Sequence, residues 1–197
     1  LLSAAADSFG GIDALEPARR RMQYDDRLYS HGLRYGGVGI PLAAKMNRAA
    51  LEDLSEEDDA RLWAQAQNNL GIALQAQGER LGGAEGAALI GEAAAAYRAA
   101  LRVWSEAAHP VDWAITQANL GAALQVQGER LGGADGAALL GEAVAAYRAA
   151  LRVQTEAAYP ADWAMTRSNL GAALQAQAER LGGAEGAALL GEAAAAY

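Results

Sequence analysis

The chain has 197 residues, a net charge of −8 and a single lysine, Lys45. Nucleic-acid binding draws on a basic stripe, whereas the arginines here are interleaved with acids, so nucleic acid is not an expected partner. There is no cysteine for a disulfide or a thiolate metal site, and no apolar run approaches the roughly 18 residues of a membrane span.

Hydrophobic residues make up 52% of the chain and are mostly Ala and Leu. That composition suits a folded, soluble, all-helical protein, expected in the cytoplasm and without a cofactor. Trp63, Trp113 and Trp163 recur with a period of 50. Asn69-Leu70-Gly71 returns as Asn119-Leu120-Gly121 and Asn169-Leu170-Gly171, and Tyr97–Val103 as Tyr147–Val153. A fixed period of about 20–50 residues marks a repeat array. No single unit buries its apolar face alone, so stacked neighbours build one core.

Leu1-Leu2-Ser3-Ala4-Ala5-Ala6 reads either as a leader remnant or, preferably, as the tail of an earlier helix. Asp13-Ala14-Leu15-Glu16 fits a capping box that opens the first helix. Leu28–Gly37 matches Leu74–Gly83 in outline, and Asn47-Arg48-Ala49-Ala50-Leu51 aligns with Tyr97-Arg98-Ala99-Ala100-Leu101. Residues 1–56 are therefore expected to be a degenerate first hairpin. Ser55-Glu56-Glu57-Asp58 opens the next one, and the repeats follow as 57–110, 111–160 and a truncated 161–197.

Within Trp113–Asp162, Asp112 is the expected N-cap after Pro110. Trp113, Thr116, Leu120, Ala123 and Leu124 then recur at helical spacing. Gly128 and Gly132-Gly133 supply the backbone that ends a helix. The second helix is expected over about 136–157, with Leu139, Ala143, Ala146, Tyr147, Ala150 and Leu151 as its inner stripe. By analogy the first helices cover 57–81, 111–131 and 161–181, and the earlier second helix 86–107. Tyr197 is in register with the mid-helix Tyr97 and Tyr147, so the natural chain is expected to continue past it. Leu189, Ala193 and Tyr197 would then form an uncovered apolar face.

These residues resemble the tetratricopeptide repeat family. The first helix carries Asn119-Leu120-Gly121-Ala122-Ala123-Leu124 and a later Gly128, and the second carries Glu142-Ala143, then Tyr147, Ala150 and Leu151. The resemblance covers about residues 20–197 and repeats in register, although the family unit is about 34 residues and this one is longer. It implies an all-α fold, a right-handed α-α superhelix (solenoid) of antiparallel helical hairpins. It also implies a non-catalytic scaffold that holds a peptide or partner helix in a concave groove lined by the first helices.

Units 63–112 and 113–162 are identical at 38 of 50 positions. Four of their five differences on the first helix, at 65, 68, 72 and 76, fall on one helical face. They read Gln65, Asn68, Ile72 and Ala76 against Ile115, Ala118, Ala122 and Val126, then Met165, Ser168, Ala172 and Ala176. Either each unit shows different chemistry to a ligand, or this face drifts because packing leaves it free. The ligand-groove set is therefore Gln65, Asn68, Ile72, Gln75, Ile115, Ala118, Ala122, Gln125, Met165, Ser168 and Gln175. The recurrent Gln75, Gln125 and Gln175 would pair with a ligand backbone. Asn69, Asn119 and Asn169 would either do the same or bond between repeats. Cations expected of a carboxylate clamp are missing at Asn68, Ala118 and Ser168.

Other constellations read as structural. Gly82-Gly83-Ala84-Glu85-Gly86 faintly resembles a phosphate loop, but no strand precedes it and no Lys-Ser/Thr follows, so a helix connector is expected. His31 and His109 are the only histidines. The run Glu56-Glu57-Asp58-Asp59 lacks the spaced acids and glycine of a calcium loop. Trp63, Trp113 and Trp163 suit core staples, whereas Trp104, which becomes Gln154, is the tryptophan expected to touch something outside the core. A protein or peptide partner of a bacterial-type scaffold, with no metal, nucleic acid or membrane, is the leading expectation. Homotypic end-to-end association and a sensor array serving a catalytic domain elsewhere are the alternatives.

Overall fold

The computed structural model describes residues 15–196, and among them are eight α-helices and no strand. The expectations for Leu1–Ala6, for Asp13 as a capping residue and for Tyr197 lie outside the described residues. The helices are α1 (Glu16–Tyr35), α2 (Gly39–Glu52), α3 (Ala60–Leu81), α4 (Gly83–Val103), α5 (Pro110–Leu131), α6 (Gly133–Leu151), α7 (Pro160–Leu181) and α8 (Gly183–Ala196). The chain divides into two compact units, residues 1–103 and 104–197. In the first, α1 pairs with α2, α2 packs on α3, and α3 pairs with α4. In the second, α5 pairs with α6, α6 packs on α7, and α7 pairs with α8.

The connector inside each complete repeat is one residue long. Gly82, Gly132 and Gly182 stand at φ of 65°, 70° and 63°, and the next helix begins at the following glycine. The N–H of Gly82 closes the helix end on the Gly78 carbonyl at 3.1 Å. The second helices thus start at Gly83 and Gly133, three residues before the expected 86 and 136, and end at Val103 and Leu151 rather than 107 and 157. The following helices begin at Pro110 and Pro160, each with proline in the first turn. A preceding turn is also closed by Ser105 Oγ, which accepts from the Ala108 N–H at 3.2 Å. His109 is accordingly the N-cap of α5, and Asp112 lies in its first turn rather than capping it. Farther up the chain Asp59 caps α3 by accepting from the Leu62 N–H at 2.9 Å, so that helix begins at Ala60, not 57.

Within each hairpin a tyrosine lies in a gap left by a glycine. A Cβ on Gly71 would sit 2.5 Å from Tyr97 Cε1, and one on Gly121 would sit 2.8 Å from Tyr147 Cε1. Both rings are 1% exposed, and their hydroxyls donate to Gln75 at 3.2 Å and Gln125 at 3.1 Å. Near the hairpin tip the backbones touch, since a Cβ on Gly128 would meet the Gly136 carbonyl at 2.8 Å. That contact sets the phase of α6. Leu140, one turn past Gly136, is fully buried, while the expected Leu139 is only half-buried. Of the other inner positions, Ala143, Ala146, Tyr147 and Ala150 are buried as the spacing predicts, whereas Leu151 is half-buried.

The first hairpin solves the same problem differently. Asp25 occupies the place of Gly71 and Asn47 that of Tyr97, and they are 3% and 0% exposed. Asp25 bonds to the amides of Asn47 and Asn69, and Asn47 Nδ2 donates to the Ala43 carbonyl at 3.1 Å. One oxygen of each, Asp25 Oδ1 and Asn47 Oδ1, still lacks a donor among the described residues. Burial is the main reason that the Asp25 carboxyl is pushed up to about 6; Asp26 adds to the rise, and the two asparagines oppose it.

Replacing Leu120, which is 7% exposed, by Ala should lower stability by about 2–5 kcal/mol in urea unfolding. Gly121→Val should be comparably damaging, because its side chain would enter the Tyr147 ring. Parent-like unfolding of either variant would remove that face from the core.

Asp25 also predicts a pH dependence. Its native pKa lies above the ordinary 3.8, so the native state holds the proton more tightly than the unfolded chain. Its contribution to stability is therefore greatest below about pH 3.8, falls as pH rises toward 6 and is flat above that. The urea midpoint of Asp25→Asn minus that of the parent should rise between about pH 4 and pH 6.5. A constant difference would contradict an Asp25 carboxyl that favours its proton in the fold.

Candidate functional site

Arginines at recurring sites hold the two helices of a hairpin together and join neighbouring hairpins. Arg102 lies over Trp63 at 5.1 Å and pairs with Glu56 at 2.8 Å; Arg152 lies over Trp113 at 5.0 Å and pairs with Glu106 at 2.8 Å. The hydrogen bonds from Arg152 hold the exposed Glu106 carboxyl below its ordinary range. Arg48–Glu92 and Arg148–Glu192 link successive second helices. At the ends of the first helices, Arg80 donates to the Gly32 carbonyl at 3.0 Å and Arg180 to the Glu129 carbonyl at 2.8 Å. Each places a cation near the C-terminal end of a neighbouring first helix, where the helix dipole favours it. Trp104 is 4% exposed, so the expectation that it faces outward is wrong. It shares its repeat position with Leu54 and Gln154, both also 4% exposed, and Gln154 is satisfied there by the Thr166 hydroxyl at 2.7 Å.

The variable stripe lies on the first helices. In the first unit it lies on α3: Gln65 is exposed, Ile72 and Gln75 are half-buried, and Asn68 is buried at 8% exposure. In the second unit it lies on α5 and α7, which touch one another. Ile115 and Met165 are exposed by 39% and 58%, and Val111, one turn before Ile115, by 40%. Ala118 and Ala122 are half-buried and Ser168 is exposed.

The glutamines are partly committed within the fold. Gln75 accepts from Tyr97 and donates to Glu79 at 3.0 Å; Gln125 accepts from Tyr147 and donates to Glu129 at 2.8 Å. Gln175 is exposed and donates to Glu179 at 3.3 Å. The spacing suggests amides that pair with a ligand backbone, but a buried tyrosine hydroxyl needs an acceptor and takes the Oε1 of Gln75 and Gln125. Burial also keeps the Tyr97 and Tyr147 hydroxyls protonated, raising both well above the ordinary phenol value.

Sequence reasoning passed over Glu79, Glu129 and Glu179. Each lies three residues beyond the last stripe position and so on the same face. In the second unit Glu129, Ala172, Gln175, Ala176, Glu179 and Arg180 line one hollow of about 310 Å³. Their strict recurrence was the available signal, masked because residues that never vary look structural.

The remaining candidates have local roles. Glu56 pairs with Arg102, Asp58 accepts from the Ser55 hydroxyl at 2.6 Å, and Asp59 caps α3. His31 is exposed with its ring 5.0 Å from that of Tyr35. No group of acids and histidines suited to a metal occurs among the described residues, and no helix there is long and apolar enough to cross a membrane. No family model matches the chain, and no curated protein matches it.

Proposed function

We propose that the chain is a non-catalytic interaction scaffold of the tetratricopeptide type, a solenoid of stacked hairpins that binds a protein segment on its first helices. One observation carries this reading. Repeats identical at 38 of 50 positions place four of their five first-helix differences on one stripe, and in the second unit that stripe leaves Ile115 and Met165 exposed. Exposed large apolar side chains flanked by polar ones mark binding surfaces. The one-residue connectors and the repeated pairing of each hairpin with the next within a unit support the solenoid.

Replacing Ile115 and Met165 together by Asp should leave helical circular dichroism unchanged and abolish selection of binders from a random peptide display library. Binders selected equally well on the variant would move the ligand face elsewhere; loss of helicity would return both residues to the core.

A second reading, end-to-end self-association, rests on α8. Leu190 is 49% exposed, whereas Ile90 and Leu140 at the same repeat position are fully buried. The uncovered face thus carries Leu190, not the expected Ala193, which is 4% exposed against its own hairpin. If this face self-associates, light-scattering mass should rise with protein concentration and Leu190→Lys should prevent the rise. A monomer at every concentration would dismiss the reading.

A further inference from the structure

The second unit's face also points to the chemistry of its partner. We propose that α5 and α7 bind a basic amphipathic helix, with its apolar residues on Val111, Ile115 and Met165 and its lysines or arginines at Glu129 and Glu179. This rests on the scaffold reading and narrows it.

Three features carry the assignment. First, the stripe is polarised. Its N-terminal part is exposed and apolar, its middle is mostly small (Ala118, Ala122, Ser168, Ala172 and Ala176, with Val126 larger), and its C-terminal part ends in exposed Glu129 and Glu179. From Ile115 to Glu129 the helix rises about 21 Å, so about 14 residues of a partner helix reach from the apolar part to the acids.

Second, this face has little to offer an extended peptide. Such a peptide needs donors and acceptors for its backbone, and unpaired groups are costly when covered. The middle of the stripe is mostly alanine, with Ser168 its one hydroxyl, and Gln125 and Gln175 already each donate to a glutamate. A helix satisfies its own backbone and needs only a smooth bed of small residues.

Third, the charge is one-sided. Each carboxylate accepts a single hydrogen bond, from the glutamine one turn earlier. The one guanidinium lining their hollow, that of Arg180, is turned to the Glu129 backbone carbonyl. Arg130 follows Glu129 in sequence but is not among the residues lining the hollow. The carboxylates also stand in the last turns of α5 and α7, where the helix dipole adds negative potential, on a chain of net charge −8. A cationic side chain fits that place and an anionic one is repelled.

The probe is a synthetic peptide of about 20 residues that forms an amphipathic helix, Leu on one face and Lys on the other. Two controls accompany it, a version with every Lys changed to Glu and a scrambled peptide of the same composition. Fluorescence anisotropy should show binding of the Lys helix alone, weakened at least threefold between about 50 mM and about 300 mM salt. Glu129→Gln with Glu179→Gln should weaken it about tenfold at unchanged helicity. Ile115→Asp should remove it. Equal binding of the Glu helix, equal binding of the scrambled peptide or indifference to the glutamate changes would each overturn the proposal. The source of failure is separable. Library binders lost on the Ile115/Met165 variant but lacking basic residues would leave the scaffold standing without a basic partner, whereas no library binders at all would remove both.

Discussion

A tyrosine ring pressed onto a glycine is the contact on which each complete hairpin depends. Tyr97 over Gly71 and Tyr147 over Gly121 leave no room for even a methyl group. The ring keys the two helices at mid-length, and the Gly128–Gly136 approach keys them again at the tip. Two contacts at separated points define both the rotation and the height of one helix against the other. The pattern of buried residues follows: once the phase of α6 is set, Leu140 enters the core and Leu139 cannot. The hydroxyl at the end of the ring then takes a glutamine, which in turn holds a glutamate, so a core contact extends to the surface.

Arginines add polar joints. Within a hairpin they stack on Trp63 and Trp113 while pairing with Glu56 and Glu106, and between hairpins others reach Glu92, Glu192 and carbonyls at the ends of first helices. Exposed ion pairs contribute modestly to stability. Their value here is directional, because a guanidinium that must meet both an indole face and a carboxylate accepts few arrangements. The first hairpin departs from the scheme at its centre. Asp25 and Asn47 replace the glycine and tyrosine together, exchanging an aromatic contact for a buried polar one that carries a titratable group.

Much of this was legible before any coordinates. The 50-residue period, the alternation of two helices per repeat, most of the buried alanines and the face that varies follow from spacing. The site was only partly legible. Ile115 and Met165 are exposed where the varying stripe placed them, but Gln125 is committed to Tyr147, Asn68 is buried and Trp104 is inside. Spacing along one helix says which residues share a face; it does not say which partner from another helix claims them first.

The sequence by itself determined the helices and their pairing, because helical periodicity and glycine-glycine breaks act within a few residues of one another. Only the tertiary structure decided where helices stop, which leucine of Leu139-Leu140 is buried, and that the glutamines serve tyrosine hydroxyls while the neighbouring glutamates line the hollow. Those outcomes depend on contacts between residues 8 to 50 positions apart. There a fraction of a turn in the phase of one helix decides whether a polar group meets a partner or the solvent.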